Sequence, residues 1–170
     1  MTRSSNQTQR IALCGLLLAL MLVLGYVESQ LPVAPTVPGI KLGLSNGVLI
    51  FALYMLDIPT AIVLMVLKVV LSGLMFSGVN AMLYGLAGGV LSLMVMALLS
   101  RVKGVHAVAV SMAGGVMHNV GQVALAMVML GTPSLMYYMA ILMLAGLATG
   151  ALTGVAATSV MRHLKSIKRS

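Results

Sequence analysis

The sequence predicts an all-α integral membrane protein, a bundle of six transmembrane helices with no separate soluble domain. Three observations carry this. Hydrophobic residues make up 61% of the 170 positions, and the mean hydropathy is +1.12, far above a soluble domain, so most of the surface must face lipid. The apolar runs are continuous instead of alternating, which selects helices over barrel strands, because a helix satisfies its own backbone groups in lipid. Finally, a hydrocarbon core of roughly 30 Å takes about 20 helical residues to cross, and the length divides into about six such runs with short connections.

Taken in order, residues 1–10 read as a polar cytoplasmic tail with Arg3 and Arg10, and the first span covers residues 11–30. It is longer than a signal peptide's apolar region and no small-residue cleavage site follows, so it reads as retained. The second span covers 40–56. Asp57 and Pro59 then mark a tight turn, since Asp caps a helix and Pro is tolerated in a first turn. The third span covers 58–76, a turn at 77–80 leads to the fourth at 81–100, and Arg101 and Lys103 lie in the next turn. The fifth covers 105–130, the sixth 133–161, and 162–170 is a basic cytoplasmic tail.

The net charge is +8 with only two acids, Glu28 and Asp57. The basic residues cluster at span ends and on no aromatic-studded face, so they read as orientation signals and not as a nucleic-acid surface. With six spans, Arg3, Arg10, Arg101, Lys103 and the tail fall on one side, which the positive-inside bias makes the cytoplasm. The loop of residues 31–41 then faces outside, and Tyr137 and Tyr138 sit at the outer interface as aromatic anchors. Cys14, the single cysteine, excludes a disulfide framework and reads as a packing residue.

Polar residues at membrane depth are expensive and point into the bundle or a wet cavity. Lys68 shares a face of the third helix with Met65 and Ser72. His118 and Gln122, four apart, share a face of the fifth beside Asn119. Glu28, Lys41, Asn46, Asn80 and Tyr84 complete a set from several spans, all in the outer half. Two readings compete: a substrate pocket open to the outside, or helix-helix hydrogen-bond glue with Lys68 and Glu28 neutralising each other. If the set lines a pocket, its cations outnumber Glu28 and favour an anionic, partly apolar ligand. Two acids in the whole chain leave no paired-acid catalysis, no histidine-carboxylate metal cage and no magnesium-holding acidic cluster. No phosphate-binding glycine loop is present either. The expectation is therefore a non-enzyme that needs no cofactor.

Small residues form stripes that let helix backbones approach: Ala12, Gly15 and Ala19 on the first helix, Gly85 and Gly89 on the fourth, and Gly146, Gly150 and Gly154 on the sixth. Those on the fourth and sixth read as internal packing. For the first, internal packing and docking to another subunit stay open.

The run PGIKLGLSN from Pro38 to Asn46, following Tyr26-Val27-Glu28 and a proline-broken loop, resembles the bacterial membrane family of Gx transporters, also described as heptaprenyl diphosphate synthase component I. The likeness extends from about Ile11 to Met161. That family in turn is similar to the S components of energy-coupling-factor importers. The resemblance implies a six-helix subunit in the bacterial plasma membrane that captures a small nutrient or cofactor precursor under a lid formed by the loop after the first helix. It also implies two kinds of partner, a transmembrane coupling subunit docked on Ala12, Gly15 and Ala19, and cytoplasmic ATPases. Gly15 departs from the alanines usual in that pattern. The synthase description implies instead a non-catalytic accessory of isoprenoid or quinone biosynthesis. A self-sufficient small carrier is the third alternative.

Overall fold

The computed structural model describes residues 3–30 and 41–167, with the side chains of residues 3–6, 165 and 167 left aside. Among the described residues the chain is all-helical, with no strand. The helices are α1 (Arg3–Ser29), α2 (Asn46–Met55), α3 (Ile58–Ser72), α4 (Gly78–Leu99), α5 (Ala107–Leu130) and α6 (Met136–Ile167). A π-helical turn, Gly73–Ser77, extends α3, and a short 3-10 turn, Pro133–Leu135, precedes α6. Four helical stretches are long and apolar enough to cross a membrane: Gln7–Ser29, Ile58–Leu99, Ala107–Leu130 and Pro133–Leu164.

The second of these stretches is a hairpin. Gly78 adopts φ +80, which L side chains disfavour, and the chain reverses there. A Cβ on Gly73 would meet Met82, one on Gly85 would meet Val69, and one on Gly89 would meet Met65, an antiparallel register between α3 and α4. The small residues of the sixth helix do the same work against the fifth. Gly146 lies against the Gly115 backbone, Gly150 against Ser111 and Met112, and Gly154 against Val108 and Ser111. Without a side chain at these positions the two backbones touch, which is how helices gain packing energy where lipid offers no hydrophobic drive. At the other end of the bundle, Arg10 pairs with Asp57 and donates to Thr60 Oγ1 at 2.8 Å, tying the start of α1 to the α2–α3 turn. Asp57 caps α3 by accepting the Thr60 N–H at 2.8 Å, with Pro59 in the first turn.

One span departs from expectation. The second apolar run was expected to be helical over 40–56, but α2 holds only ten residues, about 15 Å at 1.5 Å per residue, half a hydrocarbon core. Residues 41–45 are not helical. Val48 to Leu53 are all buried, so this stretch of α2 is a core helix, apolar all round because it is enclosed on every face, and only Tyr54 near its end is exposed.

Candidate functional site

The stretch before α2 enters the bundle instead of lying in an outer loop. Lys41, Gly43, Ser45 and Asn46 are buried. Three contacts hold this backbone in place. The Lys41 N–H donates to Gln122 Oε1 of α5 at 3.0 Å, the Leu44 N–H donates to Glu28 Oε1 of α1 at 2.5 Å, and the Leu42 carbonyl accepts from Thr149 of α6 at 3.4 Å. Gly43 permits the course: its φ is +85, and a Cβ there would lie 2.8 Å from Asn46 Nδ2 and 3.1 Å from His118 Cδ2. Conformation and space both demand glycine.

Around this backbone three charges converge from three elements. Glu28 is 1% exposed, Lys68 5% and Lys41 6%; Glu28 interacts electrostatically with both lysines, and Lys68 acts on Lys41. Lys41 is the most strongly tied. Its ammonium donates to Ser77 Oγ at 2.5 Å and lies 5.3 Å from the centroid of the Phe76 ring, a cation–π distance. Phe76 stacks edge-on with Tyr26 at 5.4 Å. Lys68 is the least tied. It passes close to Gly25, whose absent Cβ would lie 3.5 Å from Lys68 Cε, and among the described residues it makes no hydrogen bond or ion pair. Glu28 Oε2 and Asn46 Nδ2 also lack a hydrogen-bond partner. Lys41 lies outside every stretch of membrane-crossing length. Burial, aided by the Lys68 charge and opposed by Glu28, lowers its pKa from 10.5 to about 8.

The other expected residues divide. Gln122 spends its oxygen on Lys41 and its amide nitrogen on His118 Nε2 at 2.9 Å. Since the oxygen is an acceptor there, the nitrogen donates, so His118 Nε2 must be unprotonated and the imidazole neutral. These two residues position the 41–46 backbone. Asn119 points elsewhere, donating to the Leu142 carbonyl of α6 at 2.5 Å, and is the interhelical glue considered above. Tyr84 is buried in an apolar cluster with Val123, Ala126, Leu135 and Leu142. Asn80 is exposed and does not join the set: α4 starts at Gly78, and its second residue beyond that start faces outward. Ala12, Gly15 and Ala19 are exposed, with no atom within 4 Å of a Cβ built on Gly15, so the stripe on α1 is left uncovered by the described residues. The expected lid, residues 31–41, lies outside the described residues apart from Lys41 itself.

Phe76 and Ser77 were not among the expected site residues. The π turn carries both to Lys41, and such turns recur at functional sites, but a π turn leaves no periodicity signal in an apolar run. For metals, no three His, Cys, Asp or Glu side chains come together among the described residues. What the arrangement offers is a buried lysine without a hydrogen-bond or ion-pair partner among the described residues, a second lysine parked on neutral groups, and one carboxyl group with an open oxygen.

The sequence profile of the heptaprenyl diphosphate synthase component I family matches residues 17–160. The chain belongs to that family. The matched region holds Glu28, Lys41 and Lys68, and stops short of the polar start of α1. No curated protein and no solved structure matches the chain.

Proposed function

We propose that this member of the component I family is the substrate-capture subunit of a membrane importer. Its six helices sit in a bacterial plasma membrane with both termini in the cytoplasm, and it takes up a small anionic, partly apolar molecule from outside. The observation that carries this is Lys68, buried and without hydrogen bond or ion pair among the described residues. A charge at membrane depth costs about 2.5–3.5 kcal/mol or more, and structural lysines offset that cost with a fixed partner. Glu28 lies within electrostatic range of Lys68 yet spends one oxygen on the Leu44 amide and leaves the other open.

In this reading an anionic headgroup bridges Lys68 and Lys41, drawing the Lys41 ammonium off Ser77, while Phe76 and Tyr26 flank the apolar part of the guest. The basic residues at the chain's ends and at Arg101 and Lys103 support the orientation. Two acids and no phosphate-binding loop supply no energy source or catalytic chemistry, so the chain is not an enzyme. A transmembrane coupling subunit with cytoplasmic ATPases would drive release, and the exposed Ala12, Gly15 and Ala19 stripe suits close docking of such a helix.

The family description favours a second reading, a non-catalytic membrane accessory of a prenyl diphosphate synthase. Purification of the full chain from native membranes, with mass spectrometry of its protein partners, separates the two. A coupling subunit with ATPases supports the importer; a soluble prenyltransferase in its place overturns it in favour of the accessory. Transport in liposomes by the purified chain alone would overturn both in favour of a self-sufficient carrier.

A further inference from the structure

The charge inventory of the buried cluster narrows the guest further. In their ordinary ionised states at pH 7, Lys41 and Lys68 each bring one positive charge and Glu28 one negative charge, and His118 is neutral because Gln122 must donate to its Nε2. The other polar groups facing the cluster, Ser77, Asn46 and Gln122, are uncharged. One net positive charge is therefore left in a setting where uncompensated charge is costly in either sign. A headgroup with a single negative charge brings the cluster to neutrality. A diphosphate, with several, overshoots it and forces excess anionic charge beside Glu28 Oε2.

We propose that Glu28 is a charge-selecting residue, tuning the site to apolar monocarboxylates and against the prenyl diphosphates that the family description suggests. The placement of the carboxylate fits that role. Its Oε1 is fixed by the Leu44 N–H, and its Oε2 has no hydrogen-bond partner among the described residues, so a second anion arriving near the lysines faces an open carboxylate oxygen. Were Glu28 present only to neutralise Lys68, the two would form a close ion pair, and they do not.

This inference rests on the binding reading above, and one experiment tells their failures apart. The full chain in lipid nanodiscs is titrated at pH 7 with geranate, geranyl diphosphate and geraniol, which share one apolar tail and differ in headgroup charge. Wild type is expected to bind geranate at least about tenfold more tightly than either of the others. Glu28→Gln keeps an acceptor for the Leu44 amide and leaves the cluster with two positive charges, so the preference should move toward the diphosphate by about tenfold or more. Glu28→Asp retains the charge and should retain the carboxylate preference, which separates charge from a folding defect. Wild-type preference for the diphosphate overturns the charge selection while leaving anion binding intact. An equal loss of both anions in Glu28→Gln, with Glu28→Asp behaving alike, does the same. Absence of wild-type binding to both anions overturns the binding reading together with this inference.

Discussion

Replacing Lys68 by methionine should make the empty protein more stable and make it bind anions worse. Methionine keeps the length of the side chain beside Gly25 and removes the charge. A charge at the helix centre in a bilayer costs about 2.5–3.5 kcal/mol, of which the attraction to Glu28 recovers part, so the substitution should release about 1–3 kcal/mol. At roughly 2–4 °C per kcal/mol for a chain of this size, Tm in nanodiscs rises by several degrees. The same change removes a charge-assisted contact of about 1.5–3 kcal/mol to the guest, a loss of roughly 10- to 150-fold in geranate affinity. The opposite sign follows if Lys68 is a structural partner of Glu28. Breaking a buried ion pair strands the other charge and costs about 3–5 kcal/mol. A fall in Tm of that size, with geranate affinity unchanged, would refute the reasoning.

Other perturbations bear on the segment that builds the site. Gly43→Ala must place a β-carbon at φ +85, 2.8 Å from Asn46 Nδ2 and 3.1 Å from His118 Cδ2. The left-handed backbone costs about 1–2 kcal/mol and the displacement about 1–3 kcal/mol, so thermal melts should show a drop and geranate titration a loss together. Geranate affinity should be flat between about pH 6 and 7, where the guest's own carboxylate is ionised, and fall as pH rises through about 8, because the free protein's Lys41 loses its proton there. Lys68 and Glu28 face it from α3 and α1. The stability of the empty protein should run the other way. The folded pKa lies below the unfolded 10.5, so the unfolded chain holds more protons between about 8 and 10.5, and stability rises with pH across that window. At the opposite end, Thr60 first and Arg10 second hold the Asp57 carboxyl below its usual range. Its contribution is present above the unfolded value of 3.8 and is lost as pH falls through the folded one. Asp57→Asn, which keeps the cap of α3 and loses the Arg10 ion pair, should melt between wild type and Asp57→Ala; identical melts for wild type and Asp57→Asn would deny the Arg10 pair a role.

Much of the helical layout is legible in the amino acids because lipid imposes it: an apolar run of sufficient length has few alternatives to a helix. The glycines of the sixth helix are legible for a related reason, since close backbones need small residues wherever the fifth helix passes. The start of α2 is not. Nothing in the second apolar run distinguishes a continuous helix from one whose first described residues, 41–45, are non-helical, since the groups that hold them, Gln122, Glu28 and Thr149, come from helices distant in sequence. For the same reason Lys41 reads as an outer-loop residue when it is buried. Depth along a helix was enough to group Asn80 with the other polar residues, but depth says nothing about azimuth, and Asn80 faces outward. Adjacent residues on a helix diverge by about 100°, which is why Asn119 turns to α6 while His118 and Gln122 turn to the 41–46 segment. That split could have been read from the spacing. The arrival of Phe76 and Ser77 at Lys41 depends on a π turn, a local underwinding that apolar composition does not signal.

Native mass spectrometry of the full chain, released gently from the membranes in which it was made, tests the central claim most directly. The account predicts a co-purified amphiphile bearing a single negative charge on wild type, absent from Lys68→Met. A chain that carries no small molecule, or one that keeps its guest when Lys68 is methionine, would contradict it.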